Sequence, residues 1–392
     1  MRVLQVLPSL NLASGGVVEG AIQQGLEIER RGHLVDTLTL DPPAAEIDLR
    51  LRPDSIHLLG PAAGNYGFST RLDRWLREHR STFDVVVVHG VWQYHSFCVR
   101  RVVPSLGKPY VVFTHGMLDP WFAQEYPLKH AKKWIYWWIA ERMNLRKASR
   151  VLFTTEEEML LARHSFSGYR VREKVVGFGI KRVGADLKND TSIFINKYPA
   201  LKDKTIVLFL SRLHPKKGCD LLIRGFAKIF KGSPSHHLVF AGPCTEAYLR
   251  SLELECERLG IESLVTFTGM LEGPMKWGAY QAADVFVLPS HQENFGVVIA
   301  ESLSVGTPVL TTRKVNTWRE IVDEEAGIVS ADTQDGIDQS LRQWVALSPS
   351  ERAHMRARAR ACFESKFSID RSVSCLLDTL SQVVEENRAA AS

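Results

Sequence analysis

The stretch DVFVLPSHQENFGVVIAESL, Asp284 to Leu303, changes its period half-way, and that change decides the fold. Val285-Phe286-Val287-Leu288 is short, apolar, β-branched and aromatic, the pattern of a buried strand. Pro289 stops it. From Val297 the pattern is helical, and Gly306-Thr307-Pro308 closes the helix. Glu293 therefore falls in a strand-to-helix loop and Glu301 inside the helix. A strand's carboxyl end feeding a helix N-terminus is where open α/β sheets take phosphorylated ligands. Two carboxylates there can accept hydrogen bonds from hydroxyls, as a sugar or ribose requires. The arrangement points to a sugar-nucleotide site.

The same grammar runs outward in both directions. Strands are predicted at Val3–Leu7, Leu34–Leu40, Val85–His89, Tyr110–Thr114 and Val151–Thr154, with helices between them, notably Glu19–Arg31 and Leu128–Lys147. The rhythm restarts with strands at Ile206–Ser211, His237–Ala241, Val265–Thr268, Val285–Leu288 and Val309–Thr312, and a helix near Cys219–Ile229. Strands spaced by helices of this length imply one doubly wound parallel sheet per half. A chain of 392 residues is also long for one core and suggests two domains. Apolar periodicity lapses at Lys181–Asp190, which places a hinge at about 181–203. The expected domains are 1–182 and 183–371, with a last helix at Ser372–Glu386 and a frayed tail at Asn387–Ser392.

Composition excludes several classes. At 45% hydrophobic and 24% charged residues the chain is globular. Met1–Pro8 reads as a first strand rather than a secretory leader, and no apolar run is long enough to span a bilayer. Six scattered cysteines form no Cys-x-x-Cys pair, which fits a reducing, cytoplasmic setting. Residues 1–190 carry 26 Lys/Arg against 20 Asp/Glu, and the rest carry 23 against 24. That asymmetry fits an anionic partner for the first half, or simply a solvated basic face.

Ser211-Arg212-Leu213-His214-Pro215-Lys216-Lys217-Gly218 follows its strand directly and precedes a helix. Arg212 and Lys217 there suit a diphosphate, although alone the run reads equally well as a solvated loop. His214 and Lys216 read as bystanders. No Gly-x-Gly-x-x-Gly follows the first strand and no P-loop occurs, which disfavours dehydrogenases and P-loop kinases. No Asp-x-Asp triplet offers metal ligands, so neither a metal nor a cofactor is expected, and a leaving diphosphate would rest on Arg212, Lys217 and helix N-termini.

Ser211-Arg212-Leu213 through Lys217-Gly218, with Glu293-x7-Glu301 downstream, resembles the retaining GT-B glycosyltransferases of family 4. Gly15-Gly16, Gly32-His33 and Ala241-Gly242-Pro243 extend the resemblance over nearly the whole chain. It implies two Rossmann-like domains facing across a cleft, the donor in the second and the acceptor in the first. The last helix would cross back onto the first domain. Arg212 and Lys217 would hold the donor diphosphate, Glu293 the sugar hydroxyls and Glu301 the ribose. Asn294 lies in the same loop, and the backbone N–H groups of Phe295, Gly296 and Val297 would face sugar and phosphate. Gly15 and Gly16 would allow close approach to the diphosphate. Contacts near Gly242, Met270 and Leu271 would choose the base. One departure is Val176–Lys181, where the family often carries Asn-Gly-Ile/Val-Asp.

In the first half, His89-Gly90 and His115-Gly116 each end a strand. The resemblance puts His115 near the reacting sugar, with His89 and Asp119 as acceptor contacts; His95 is recommended only by proximity. Trp121–Lys147 interleaves aromatics with Lys and Arg, which reads as an interfacial membrane helix for a lipid-linked acceptor, or as a helix packed on the sheet with a charged outer face. Its helical form disfavours nucleic-acid stacking. The expected activity is metal-independent transfer of a hexose from a nucleoside-diphosphate sugar to a carbohydrate or lipid-linked hydroxyl. The setting would be exopolysaccharide, lipopolysaccharide or glycolipid assembly, in the cytoplasm or at the inner membrane face. A nucleotide-sugar 2-epimerase and a non-catalytic sugar-nucleotide sensor are the alternatives.

Overall fold

The computed structural model describes residues 1–11, 16–45, 48, 50–182 and 187–391. The chain divides into two compact units, Met1–Lys181 with Ile369–Ser392, and Arg182–Ser368.

The first unit holds seven strands: β1 (Arg2–Val6), β2 (Leu34–Thr39), β3 (Ile56–Leu58), β4 (Val85–His89), β5 (Tyr110–Phe113), β6 (Arg150–Phe153) and β7 (Glu173–Val175). They pair in the order β3-β2-β1-β4-β5-β6-β7, every pair parallel. β4, Val-Val-Val-Val-His, is buried along its whole length, as expected of a parallel strand covered on both faces. Val86 and Val88 pack on one side with Tyr110 and Trp137, and Val85 and Val87 on the other. That second side is closed by the helix Ile369–Ala391, which sinks Ile369, Val373, Leu376, Leu380, Val383 and Val384 against Val3, Ile28 and Phe113. The helix runs past the expected Glu386, and Asn387 Nδ2 donates to the Gly107 carbonyl at 2.8 Å, so the tail is pinned there rather than frayed.

The second unit repeats the scheme with β8 (Thr205–Leu210), β9 (His236–Ala241), β10 (Val265–Gly269), β11 (Val285–Leu288), β12 (Val309–Thr312) and β13 (Gly327–Ser330). Their order is β10-β9-β8-β11-β12-β13, again all parallel. In each sheet the order reverses beside the unit's first strand, between β1 and β4 and between β8 and β11. At such a switch point neighbouring crossovers leave in opposite directions and open a crevice at the strands' carboxyl ends.

The division between the units, after Lys181, falls within the expected span 181–203, and beyond it Leu187–Lys197 is a helix. Its Phe194 is buried, and it lies so close to the helix Gly273–Ala282 that a Cβ on Gly278 would be 2.1 Å from the Asp190 carbonyl oxygen. The helix expected over Leu128–Lys147 is interrupted. Pro127–Tyr136 is α-helical, Trp137–Glu141 forms a π turn and Arg142–Lys147 resumes the α-helix. The extra residue in the turn brings Trp137, Ala140 and Glu141 inward together.

Candidate functional site

In the second unit the loops after β8 and β11 flank the switch point and lock onto each other. Gly218 has φ +68°, and a Cβ there would lie 2.2 Å from the Pro289 carbonyl oxygen. The His291 N–H donates to the Lys216 carbonyl at 2.9 Å. On the far side, the Glu293 N–H donates to the Lys314 carbonyl and the Asn316 N–H to the Glu293 carbonyl, each at 3.0 Å. Glu293 is thus held from its backbone on both sides, and its side chain forms an ion pair with Lys217. Asn294 Oδ1 accepts from Asn316 Nδ2 at 3.3 Å.

Glu301 sits on the helix Val297–Ser304. Lys276 Nζ approaches its Oε1 at 2.8 Å, and the Tyr280 hydroxyl donates to Oε2 at 3.0 Å. Lys276 and Tyr280 are site residues that sequence reasoning missed. Their spacing of four on one helix was the available signal, since it puts both side chains on one face. Burial beside this carboxylate holds the Tyr280 phenol well above its usual range, so it remains a donor.

The helix Val297–Ser304 starts at Gly296, φ +66°, without a side-chain cap, which leaves its first N–H groups for an anion. Phe295 turns into the core, edge-on to Phe367, and only its backbone faces this end. Arg212 is exposed and makes no ion pair among the described residues. Met270 is 64% exposed beside half-buried Leu271. Gly242, φ +139°, passes so near Ser211 that a Cβ would be 2.0 Å from its carbonyl oxygen. The loops after β8, β9 and β11 therefore form one close-fitting rim.

In the first unit, Gly16 is the first residue of the helix Gly16–Arg30, and Gly15 lies outside the described residues. His89 ends β4 and His115 follows β5 in a left-handed conformation, φ +49°. Their rings stack at 12°, with His89 Nδ1 and His115 Nε2 3.0 Å apart. His89 is only 1% exposed, so it supports His115 from behind and offers no ring surface to an acceptor, contrary to the expectation for it. His95 Nε2 donates to the His89 carbonyl at 3.0 Å. Burial lowers all three imidazoles, to about 3 for His115 and about 4 for His95, and well below its ordinary value for His89. They are neutral at pH 7.

The His115 loop hangs on a buried carboxylate, Glu158, that sequence reasoning also missed. One oxygen accepts from the Thr114 hydroxyl at 2.6 Å and the Gly116 N–H at 2.5 Å. The other accepts from the Thr154 N–H at 2.8 Å and the Thr154 hydroxyl at 2.6 Å. Asp119 Oδ1 accepts the Trp121 N–H at 2.9 Å, which ties it to the first residue of the helix Trp121–Glu125. A cavity of about 480 Å³ opens near His95, its wall including Ser9, Asn65, Tyr66 and Gln93.

Residues 15–179 match the glycosyl transferase 4-like domain and residues 190–361 match the glycosyl transferases group 1 domain. Each half of the chain thus matches a glycosyltransferase domain. Among its relatives, the D-inositol 3-phosphate glycosyltransferase of Saccharomonospora viridis is 32% identical over 198 residues, 48% of this chain and 45% of that one. The enzyme of that name in Geodermatophilus obscurus is 28% identical over 260 residues, 64% of this chain and 56% of that one. The chain spans about half the length of the curated relatives it matches. Among solved structures, Anabaena HepE in complex with UDP-glucose covers 97% of this chain and 100% of its own at 17% identity and a TM-score of 0.73. At that identity the likeness speaks to the fold alone, which is GT-B. In family terms, the rim holding Arg212, Lys217, Glu293 and Glu301 belongs to the group 1 domain, and the histidines to the 4-like domain.

Proposed function

We propose that the protein is a retaining, metal-independent hexosyltransferase. It moves a hexose from a nucleoside-diphosphate sugar to a hydroxyl of a carbohydrate or lipid-linked acceptor, in exopolysaccharide, lipopolysaccharide or glycolipid assembly at the cytoplasmic face. The observation that carries this reading is the rim at the second switch point. It gathers cationic Arg212 and Lys217, an uncapped helix N-terminus, and two carboxylates, Glu293 paired with Lys217 and Glu301 with Lys276.

A diphosphate entering the rim takes Arg212 and competes with Glu293 for Lys217. Glu293 is then released to accept hydrogen bonds from sugar hydroxyls. Glu301 keeps lone pairs for the ribose while Lys276 and Tyr280 fix its rotamer. Transfer breaks the bond from the anomeric carbon to the diphosphate oxygen and forms one to the acceptor oxygen on the same face. The acceptor proton passes to the departing phosphate oxygen. Arg212, Lys217 and the helix N–H groups stabilise the charge that develops there. Neutral His115 can offer a hydrogen bond but no charge.

HepE is described with UDP-glucose, which supports UDP-sugars as the first donors to try. In a thermal-shift screen of UDP-, GDP- and ADP-sugars, one nucleotide should raise Tm by mass action. Acceptor-dependent release of that nucleoside diphosphate should follow, undiminished by a chelator, with the anomeric configuration retained by NMR. An inverted product or loss of activity with chelator would remove the corresponding part of the proposal. An intact, altered sugar nucleotide formed without acceptor would replace transfer by epimerisation.

A further inference from the structure

The segment from Pro127 to Glu141 presents an apolar face that nothing in its own unit covers. Leu128 is 84% exposed, Ile135 60% and Ile139 73%, and their spacings of seven and four put them on one side. Trp134 and Trp138 stand beside them, half exposed, with ring centroids 6.0 Å apart. Monomer surfaces rarely leave such large apolar side chains contiguous unless a partner covers them.

Within Tyr126–Ala140 the charges have one sign. Lys129 and Lys132 flank the apolar face, and Arg142, Arg146 and Lys147 follow. No acidic residue occurs from Tyr126 to Ala140, and Glu141 is turned inward by the π turn. Two of the cations lie on the aromatics themselves, Lys129 Nζ 4.9 Å from the Tyr126 ring centroid and the Arg142 guanidinium 4.6 Å from that of Trp138. Aliphatic side chains at the centre, tryptophans at the sides and cations at the rim match the depth profile of a bilayer surface: acyl chains, carbonyl level, phosphates. Among the described residues no helix is long and apolar enough to cross a membrane, so the segment would lie in the interface.

We propose that Pro127–Glu141 docks this protein on an anionic phospholipid bilayer. The Tyr136 hydroxyl on this segment hydrogen-bonds the Tyr66 hydroxyl at 2.7 Å, and Tyr66 also lines the cavity containing Ser9, Asn65, Gln93 and His95. Docking therefore brings that cavity to the headgroups. On the transferase reading, which this step alone requires, the acceptor hydroxyl is carried on a lipid.

Co-sedimentation of the full chain with phosphatidylcholine vesicles, with and without phosphatidylglycerol, tests the docking. The protein should pellet with the anionic vesicles, about tenfold less with neutral ones or at high salt, and Trp134 and Trp138 fluorescence should shift to the blue. Ile135→Asp/Ile139→Asp should abolish pelleting, and Lys129→Glu/Lys132→Glu should remove the preference for anionic lipid. Both pairs are exposed, so Tm and the donor-induced thermal shift in lipid-free buffer should be unchanged. That lipid-free shift reports the transferase reading separately. Wild-type protein left in the supernatant, or equal pelleting by Ile135→Asp/Ile139→Asp, overturns the proposal. So does a dimer in sedimentation velocity that Ile135→Asp/Ile139→Asp dissociates, since a second copy would then cover the face.

Discussion

The two sheets share their strand order around a switch point, yet the loops at corresponding places are equipped in opposite ways. Beyond β8 and β11 the rim is ionic: Lys217 with Glu293, Lys276 with Glu301, and Arg212 unpaired among the described residues. Beyond β4 and β5 the rings are neutral: His89, His95 and His115 are uncharged at pH 7, and the carboxylates of Glu158 and Asp119 accept from N–H and O–H donors. Topology opens a crevice at both ends, and side-chain charge decides what enters it. A diphosphate gains from mobile cations it can win from their carboxylates. On the proposed function the first rim would take the acceptor hydroxyl, for which neutral partners avoid the desolvation of a charge.

Substitution at the charged rim should give the largest effect. Lys217→Ala and Arg212→Ala should each lower turnover by about 10²–10³-fold, the usual cost of removing a donor aimed at developing charge. Arg212 is exposed, so its variant should unfold at the wild-type Tm. His115→Ala should cost less, about tenfold to a hundredfold. Equal losses at Arg212 and His115 in steady-state kinetics would erase the distinction drawn between the rims.

Next comes the close fit of the ionic rim. Gly242→Ala puts a Cβ against the Ser211 carbonyl oxygen at a φ that L side chains rarely adopt. It should destabilise the second unit by about 3 kcal/mol. Urea unfolding that leaves the midpoint unchanged would show that the loops after β8 and β9 are free to part.

The neutral rim has its own counterpart in Glu158→Gln. One of its two oxygens becomes an amide N–H₂ facing donors, so a buried pair of donors loses its acceptor. The expected loss is about 2 kcal/mol, with slower turnover through a loosened His115 loop. If Tm and kcat both stay at wild-type values, Glu158 does not hold that loop.

The contrast between rims also explains what could be read in the sequence. Central strands such as Val85–His89 and Val285–Leu288 are continuous apolar runs, because both faces are covered, and runs of that kind are legible. The edge strands β3, β7 and β13 were not, being only three or four residues long and partly exposed. β13 even begins at Gly327, where a Cβ would meet the Val309 carbonyl oxygen at 1.9 Å. At the site, Arg212, Lys217 and Glu293 were legible as charged residues in loops directly after strands, and Glu301 through its fixed spacing from Glu293 in the family resemblance. Lys276, Tyr280 and Glu158 were not, since each lies within a helix where its residue type is ordinary. Only the fold reveals which carboxylate or loop it faces. The exposed side of Pro127–Glu141 was ambiguous for a similar reason, because aromatics at helical spacing serve a core and an interface equally well.

The smallest effect expected is the pH dependence of stability that the buried groups of the first rim contribute. Burial lowers His95 to about 4 from 6.5, so below pH 6.5 the unfolded chain binds a proton that the native state refuses. Stability is therefore fully present above 6.5 and is lost as pH falls toward the folded value, on the order of 1 kcal/mol per histidine over the first unit of acidification. His115 acts in the same direction. Glu141, which accepts the Trp92 N–H at 3.0 Å, is raised by burial to about 7 from 4.5 and works the other way. Its native state takes up the proton first, so it adds stability as pH falls from 7 to 4.5. In Tm measured from pH 7.5 to 5, His95→Asn should flatten the acid loss and Glu141→Gln should steepen it. Parallel curves for wild type and both variants would mean that the buried groups titrate as they do in water. The neutrality of the first rim, and with it the contrast between the two, would then be lost.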